Sequence, residues 1–251
     1  MQKTYEQWMS EVSKSGLKLE YTPENFKTAE LCLLACEQEG DSLEYVPEDL
    51  KTPELCMSAC KQNGWAISFV PESLKNTELY KISCKENGGV LRLVPEHIKT
   101  PELCLLACER YGQALQFVPE DLKTPELCKT ACIKDPESLQ YVPESLKTSE
   151  LCMFCVSFNG WLIKYIPSHL LDEMMALLAC TTYVQAIFYV PKITKRMAEI
   201  VCYRDGMMLE FIPEELKDLQ LCKTACSNHD GAYQFVPESL KNHPDLERYK
   251  F

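Results

Sequence analysis

Apolar and polar positions along this chain recur on a fixed period. The stretch Val46-Pro47-Glu48-Asp49-Leu50-Lys51-Thr52-Pro53-Glu54-Leu55-Cys56 returns with its proline at Pro23, Pro71, Pro95, Pro119, Pro143, Pro167, Pro191, Pro213 and Pro237, every step being twenty-four residues except the twenty-two from Pro191 to Pro213. Self-similarity on this scale marks units that cannot bury an apolar face alone and stack to do so. The register extends back before Pro23. Gly16 holds the place of Gly40, Gly64, Gly88, Gly112 and Gly160, and Trp8 and Val12 fall in two columns that elsewhere hold cysteine. The pattern predicts an N-terminal half-repeat and cap over residues 1–22, nine stacked repeats over 23–236, irregular at 167–212, and a truncated C-terminal repeat and cap over 237–251, all in one continuous solenoid.

Each unit has two halves. Thr52-Pro53-Glu54 reads as an N-cap, a proline at the first helical position where its missing N–H costs nothing, and an acid near the positive end of the helix dipole. The same start recurs at Thr100 and Thr124 and, with substitutions, at Thr28, Asn76 and Thr148; a first helix is predicted from about Thr4. Three turns on, Gly64 and its equivalents are expected to stop the helix in a left-handed conformation. The other half, Ser42 to Lys51, places apolar residues at Leu43, Tyr45, Val46 and Leu50 around a proline, which suits tight 3₁₀ turns and not a sheet strand.

Three columns are predicted to form the core: Leu43, Ile67, Leu91, Leu115, Leu139 and Ile163; Tyr45, Phe69, Leu93, Phe117, Tyr141 and Tyr165; and Leu55, Leu79, Leu103, Leu127 and Leu151. Burying five or six such side chains at ~1.5–3 kcal/mol each cannot offset the ~1–2 kcal/mol per residue lost on ordering a whole repeat. Stacking is therefore obligatory, and the predicted fold class is all-α: an α-solenoid, or superhelix, of two-part helical repeats, an α-helix plus a short 3₁₀ piece. Between Pro167 and Pro213 the pattern degenerates, with Leu171-Asp172 for the Lys-Thr pair and Ala176 for the leading cysteine. The two-residue deletion there predicts a shortened helix or a changed twist, and the polar run from Pro244 predicts a capping helix.

Composition narrows the function. A net charge of -11 argues against nucleic acid, whose phosphates need a basic face. No stretch has the roughly 20 apolar residues of a membrane helix, and the first residues show no secretory signal. Fifteen cysteines, odd in number and spaced by the repeat, read as reduced thiols in a cytoplasm. The pairs Cys32/Cys36, Cys56/Cys60, Cys104/Cys108, Cys128/Cys132 and Cys222/Cys226 lie four apart on one helix face, and packing as small hydrophobes explains them better than metal ligation. No metal ligand and no cofactor site is assigned.

Glu48/Lys51, Glu72/Lys75, Glu96/Lys99, Glu120/Lys123 and Glu144/Lys147 are expected to form a solvated ridge of weak ion pairs. The four histidines have no nucleophile beside them, and no phosphate-binding loop or zinc-protease motif occurs. No catalytic residue is assigned.

Residues that break the columns are the better candidates, because regular positions serve stacking. Trp65 and Trp161 stand after the helix-ending glycine in a column that otherwise holds Asp41, Gly89, Gln113 and Glu137, so they are expected to be exposed and suited to a partner protein. Met174, Met175, Lys192, Lys195 and Arg196 mark the degenerate segment, and the three cations could meet an anion or an acidic peptide or form a simple solvated turn.

At VPEDLKTPELC followed by Ala-Cys and a glycine, the chain resembles a family of mostly bacterial repeat proteins known only as a domain of unknown function (four-one-one-six), and its unit length is similar to that of leucine-rich variant repeats. The resemblance implies an all-α superhelix with a binding or effector role, often in host-associated bacteria, and it brings no catalytic residues. The functional expectation is a non-catalytic scaffold for another protein or peptide, acting in a reducing cytoplasm, that of a host cell included, without nucleic acid or membrane. The alternative is a metal-binding or redox protein built on the cysteine ladder.

Overall fold

The computed structural model describes residues 3–250, and among these there is no strand. The chain divides into two compact units, one ending at Tyr141 and the other beginning at Val142. The first holds α1 (Tyr5–Val12), α2 (Ala29–Gln38), α3 (Pro53–Gln62), α4 (Thr77–Glu86), α5 (Pro101–Arg110) and α6 (Pro125–Lys134). The second holds α7 (Ser149–Phe158), α8 (Glu173–Thr182), α9 (Lys195–Arg204), α10 (Leu219–Asn228) and the short α11 (Glu238–Lys241). Within each unit the long helices pack on the ones before and after them in sequence, so each unit is a stretch of all-α solenoid.

The helices begin where the caps predict. Thr4, Thr28, Thr52, Asn76, Thr100 and Thr124 in the first unit each accept a hydrogen bond from the amide three residues on, as do Thr148, Asp172, Thr194 and Asp218 in the second. After α1 to α7 and after α9 come two 3₁₀ pieces, for example Gly40–Tyr45 and Glu48–Leu50, separated by an extended Val46-Pro47. The deletion after Pro191 does not shorten α9, which keeps ten residues. It removes the second 3₁₀ piece, so the chain passes from Val184–Tyr189 to the Thr194 cap without one. At the C-terminus no long helix follows Pro244. A 3₁₀ turn, Glu247–Tyr249, buries Leu246 and Tyr249 instead, and the Tyr249 hydroxyl meets Ser227 Oγ at 2.6 Å.

The glycines do a different task from the one expected. None of the described glycines has positive φ, and the helices end on residues such as Asn63 in extended conformation (φ -141°, ψ 114°). A methyl group placed on Gly64 would overlap the carbonyl oxygen of Ser83 in the next helix; on Gly112 it would overlap that of Ala131 and stand 2.8 Å from Asp135 Cβ. Glycine is required because the following repeat presses its helix end against this backbone. Pro136, Val184 and Asp230 are the other occupants of the column: Pro136 opens the last 3₁₀ piece of the first unit, Val184 stands ahead of the shortened repeat and Asp230 ahead of the C-terminal turn.

The core consists of the Leu43 and Leu55 columns, the cysteine columns, Ala35, Ala59, Ala107 and Ala131, and the valines Val46, Val70, Val94 and Val118. The Tyr45 column is not buried. Tyr45, Phe69, Phe117, Tyr141 and Tyr165 are half exposed and Leu93 is 37% exposed, because the extended Val-Pro step turns valine inward and leaves the preceding ring at the rim.

The lysines of the supposed solvated ridge are inside it. Lys51 Nζ donates at 3.0 Å to the carbonyl of Phe69 in the next repeat and pairs with Glu48 at 2.6 Å; its side chain is 6% exposed against 75% for the glutamate. Lys27 reaches Tyr45 O, Lys99 Phe117 O, Lys123 Tyr141 O, Lys147 Tyr165 O and Lys217 Phe235 O in the same way. Each clip ties a repeat to its successor through a carbonyl eighteen residues on. Replacing Lys51 by Met leaves the stem packed but strands that carbonyl. A loss of about 1.5–3 kcal/mol is expected in urea unfolding, against less than about 1 kcal/mol for Glu48→Gln on the exposed side. Equal, small losses at both positions would show that the clip carries no stability.

Candidate interaction surface

The cysteine ladder was the chemical alternative, and its environment is inert. All fifteen thiols are free and buried. Burial, with neighbouring thiols adding to it, pushes Cys36 up to about 12; burial likewise takes Cys84, Cys108 and Cys202 to about 12 and Cys32, Cys104, Cys128 and Cys180 to about 11. A thiol of pKa 11 is about one part in a thousand thiolate at pH 8, so it is a poor nucleophile and a poor metal ligand. Among the described residues no three His, Cys, Asp or Glu side chains gather as a metal ion would require.

The two tryptophans are half-buried, not fully exposed, and each is seated within its own unit. Trp65 lies over Gly89 of the next repeat, where a methyl group would come within 3.2 Å of the ring, and Arg92 covers it at 4.7 Å. Trp161 has Lys164 Nζ 3.4 Å above its ring and meets Tyr165 edge-on at 5.5 Å. In both, an asparagine two residues back (Asn63, Asn159) accepts the tryptophan amide and fixes the turn. Part of each ring stays open to solvent, and part is spent on packing.

The degenerate segment divides further. Met175 is fully buried: it stands in the Leu55 column, so the contact role expected of it does not hold. Met174, one residue earlier, is 66% exposed. Lys195 is a stacking residue that donates to Leu216 O at 3.0 Å and pairs with Asp218 at 2.7 Å. Lys192 and Arg196 are exposed.

What the tryptophans and cations did not reveal is the outward face of α7, α8 and α9. In the first unit the column of Met174 holds Glu30, Glu54, Glu78, Glu102 and Glu126, all exposed, while Leu33 and Ile133 are the large apolar residues its long helices expose. In the second unit α7, α8 and α9 each expose one large apolar side chain among polar ones. Phe158 is 65% exposed and packs on Phe154 at 5.0 Å, Met174 follows on α8 above half-buried Leu177 and Leu178, and Tyr203, 74% exposed, follows on α9 beside Ile200. The signal was in the sequence at Met174, in a column that otherwise holds glutamate, arginine or glutamine, and at Phe158, in a column otherwise polar, whereas Tyr203 shares its column with Ile133.

Three segments, residues 52–99, 100–147 and 196–245, match a family described as "Domain of unknown function (DUF4116)" and together make up more than half of the chain. Each of the first two matches spans two repeats, and the stretch carrying Phe158 and Met174 lies between the second and the third. No curated protein and no solved structure matches the chain.

Proposed function

The chain belongs to this family of unknown function, and from that premise we propose that it is a non-catalytic scaffold for protein–protein interaction. One observation carries the reading: α7, α8 and α9 each carry a large, strongly exposed apolar side chain, Phe158, Met174 and Tyr203, whereas in the first unit the long helices expose only Leu33 and Ile133 among the large apolar residues. Single apolar residues on a surface need no explanation, but a Phe, a Met and a Tyr each about two-thirds or more exposed on three successive helices suit a place where another protein sits. Trp65, Trp161, Lys192 and Arg196 are secondary contacts around their own units. Buried, protonated thiols suit a reducing cytoplasm, of a bacterium or of a host cell that receives the protein, and among the described residues no helix is long and apolar enough to cross a membrane. The acidic balance favours protein over nucleic acid as the partner.

The test is capture of a cellular partner by the whole chain and by a variant with Phe158→Ser and Met174→Ser. Both positions are exposed, so circular dichroism should be unchanged, while affinity for the captured partner should fall by at least about tenfold. Undiminished binding by a folded double variant would remove this face from the function.

A further inference from the structure

We infer that the second unit carries a built-in hinge: it opens on its 3₁₀ side, between Val184–Tyr189 and the layer formed by α9 and Gly206–Phe211, and pivots on the packed helices α8 and α9. Several features of the chain converge on this one layer. Val184 stands where glycine elsewhere lets the end of the following helix press on bare backbone, as Gly160 does for α8 and Gly206 for α10. Here a branched side chain faces the end of α9 instead. The two-residue deletion removes the second 3₁₀ piece, and the chain from Val190 to Thr194 crosses the layer without one. The amides of Val46, Val118 and Ile212 close the 3₁₀ piece before them on the carbonyl three residues back, and that of Val190 does not. The lysine clip is missing on both sides as well, because Leu171 and Ile193 are the residues that stand eighteen before Tyr189 and Phe211.

The packing shows the result. Helix α9 lies against α8, α10 and Gly206–Phe211 much as the other long helices lie against their neighbours, but it withdraws from Val184–Tyr189, and the two 3₁₀ pieces barely meet. An exposed ring pair bridges them, Phe188 edge-on to Phe211 at 4.7 Å. The helix side is tied more firmly, since Arg204 of α9 donates to the carbonyls of Cys180 and Thr181 at the end of α8. In the first unit Gly64–Phe69 and Gly88–Leu93 also stand apart, but there the ring of Trp65 reaches Gly89 and the helices α4 and α5 keep their full packing on both pieces. A layer short of hydrogen bonds and apolar contacts along one side is where a stack opens first, and it opens by rotation about the side that stays packed. Phe158 and Met174 precede the hinge and Tyr203 follows it, so its opening changes the spacing between the two parts of the candidate surface.

Cysteine alkylation reads the hinge in the whole protein. Cys202 of α9 lies toward Cys222 of α10, and Cys108 of α5 toward Cys128 of α6; Cys180 holds the same column on α8 and so lies toward α9, at the layer that opens. All three are fully buried. With N-ethylmaleimide near pH 8 and quantification by mass spectrometry, Cys180 should be modified at least about tenfold faster than Cys202 or Cys108, because a local opening uncovers it alone. Phe188→Ala removes the ring that bridges the layer from a site 50% exposed, and it should raise the Cys180 rate by about threefold or more while Cys108 and the circular-dichroism spectrum stay unchanged. Modification of Cys180 no faster than that of Cys202 would show that the second unit opens only as a whole and would overturn the hinge. A Phe188→Ala variant with no selective gain at Cys180 would overturn it too.

Discussion

Raised from pH 8 toward pH 11, the protein should unfold cooperatively, beginning just above pH 9. The cause is the thiol ladder. An unfolded cysteine loses its proton near 9, whereas burial holds Cys36, Cys84 and Cys108 at about 12 and Cys32, Cys60 and Cys152 at about 11. Between those values the unfolded chain binds fewer protons than the folded one, so stability falls as pH rises. The contribution is complete below pH 9 and is lost as pH climbs through 11 to 12. Each such thiol costs up to about 1.4 kcal/mol per pH unit. With most of the ladder shifted this way, a stability of about 5–15 kcal/mol would be consumed within roughly one unit. Circular dichroism and thiolate absorbance should change together, and replacing Cys56, Cys104 and Cys128 by Ala should make the fall with pH shallower even though it lowers stability at pH 7. Thiols that ionise near pH 9 while the helix signal persists would contradict the buried ladder.

Gly112→Ala is expected to destabilise the first unit by about 2–4 kcal/mol, a large loss for a single methyl group. The added carbon would overlap the Ala131 carbonyl and crowd Asp135 N at 2.9 Å and Asp135 Cβ at 2.8 Å, all belonging to the end of the next helix. Backbone cannot swing aside as a side chain can, so α6 must shift off the stack. Gly231→Ala is the control: the nearest atoms there belong to the ring of exposed His229, at 3.0 Å, which can rotate away, and a change below about 0.5 kcal/mol is expected. Urea unfolding followed at 222 nm measures both. A mild Gly112→Ala would mean that the repeats are not pressed together as described.

Much of this fold could be read from residue order alone. The threonine caps, the prolines at the first helical turn, the 3₁₀ pieces and the leucine and cysteine columns all follow from local rules, and each stands where those rules put it. The misreadings share one physical origin. Gly64 at a helix end has a familiar local meaning, and Lys51 three residues after Glu48 has another; in both, the atom that decides the matter belongs to the next repeat, Ser83 O in one and Phe69 O in the other. Local sequence says little about what stacking brings to within 3 Å. The Tyr45 column failed for a related reason, since alternation could not tell which of two adjacent apolar residues the Val-Pro step turns inward.

Of the two methionines read from the sequence as candidates, the structure exposes Met174 and buries Met175. Met175 shares its column with Leu151 and Leu221, and that alignment alone marks it as core. Phe158 and Tyr203 lie outside the apolar columns, so alignment of those columns alone does not mark them. An exposed site shows itself as an apolar residue in a polar column, which becomes apparent only when the polar columns are aligned too.

The account depends on repeats that are held by the repeats beside them and by little else. The most direct measure is the stability of the first unit cut back in steps, with the chain ending at Tyr45, Phe69, Leu93, Phe117 or Tyr141 and unfolded in urea. The shortest chain should be largely unfolded, and each added repeat should raise stability by a similar increment. A two-repeat chain already as stable as the longest one, or a series in which nothing folds until the last step, would contradict it.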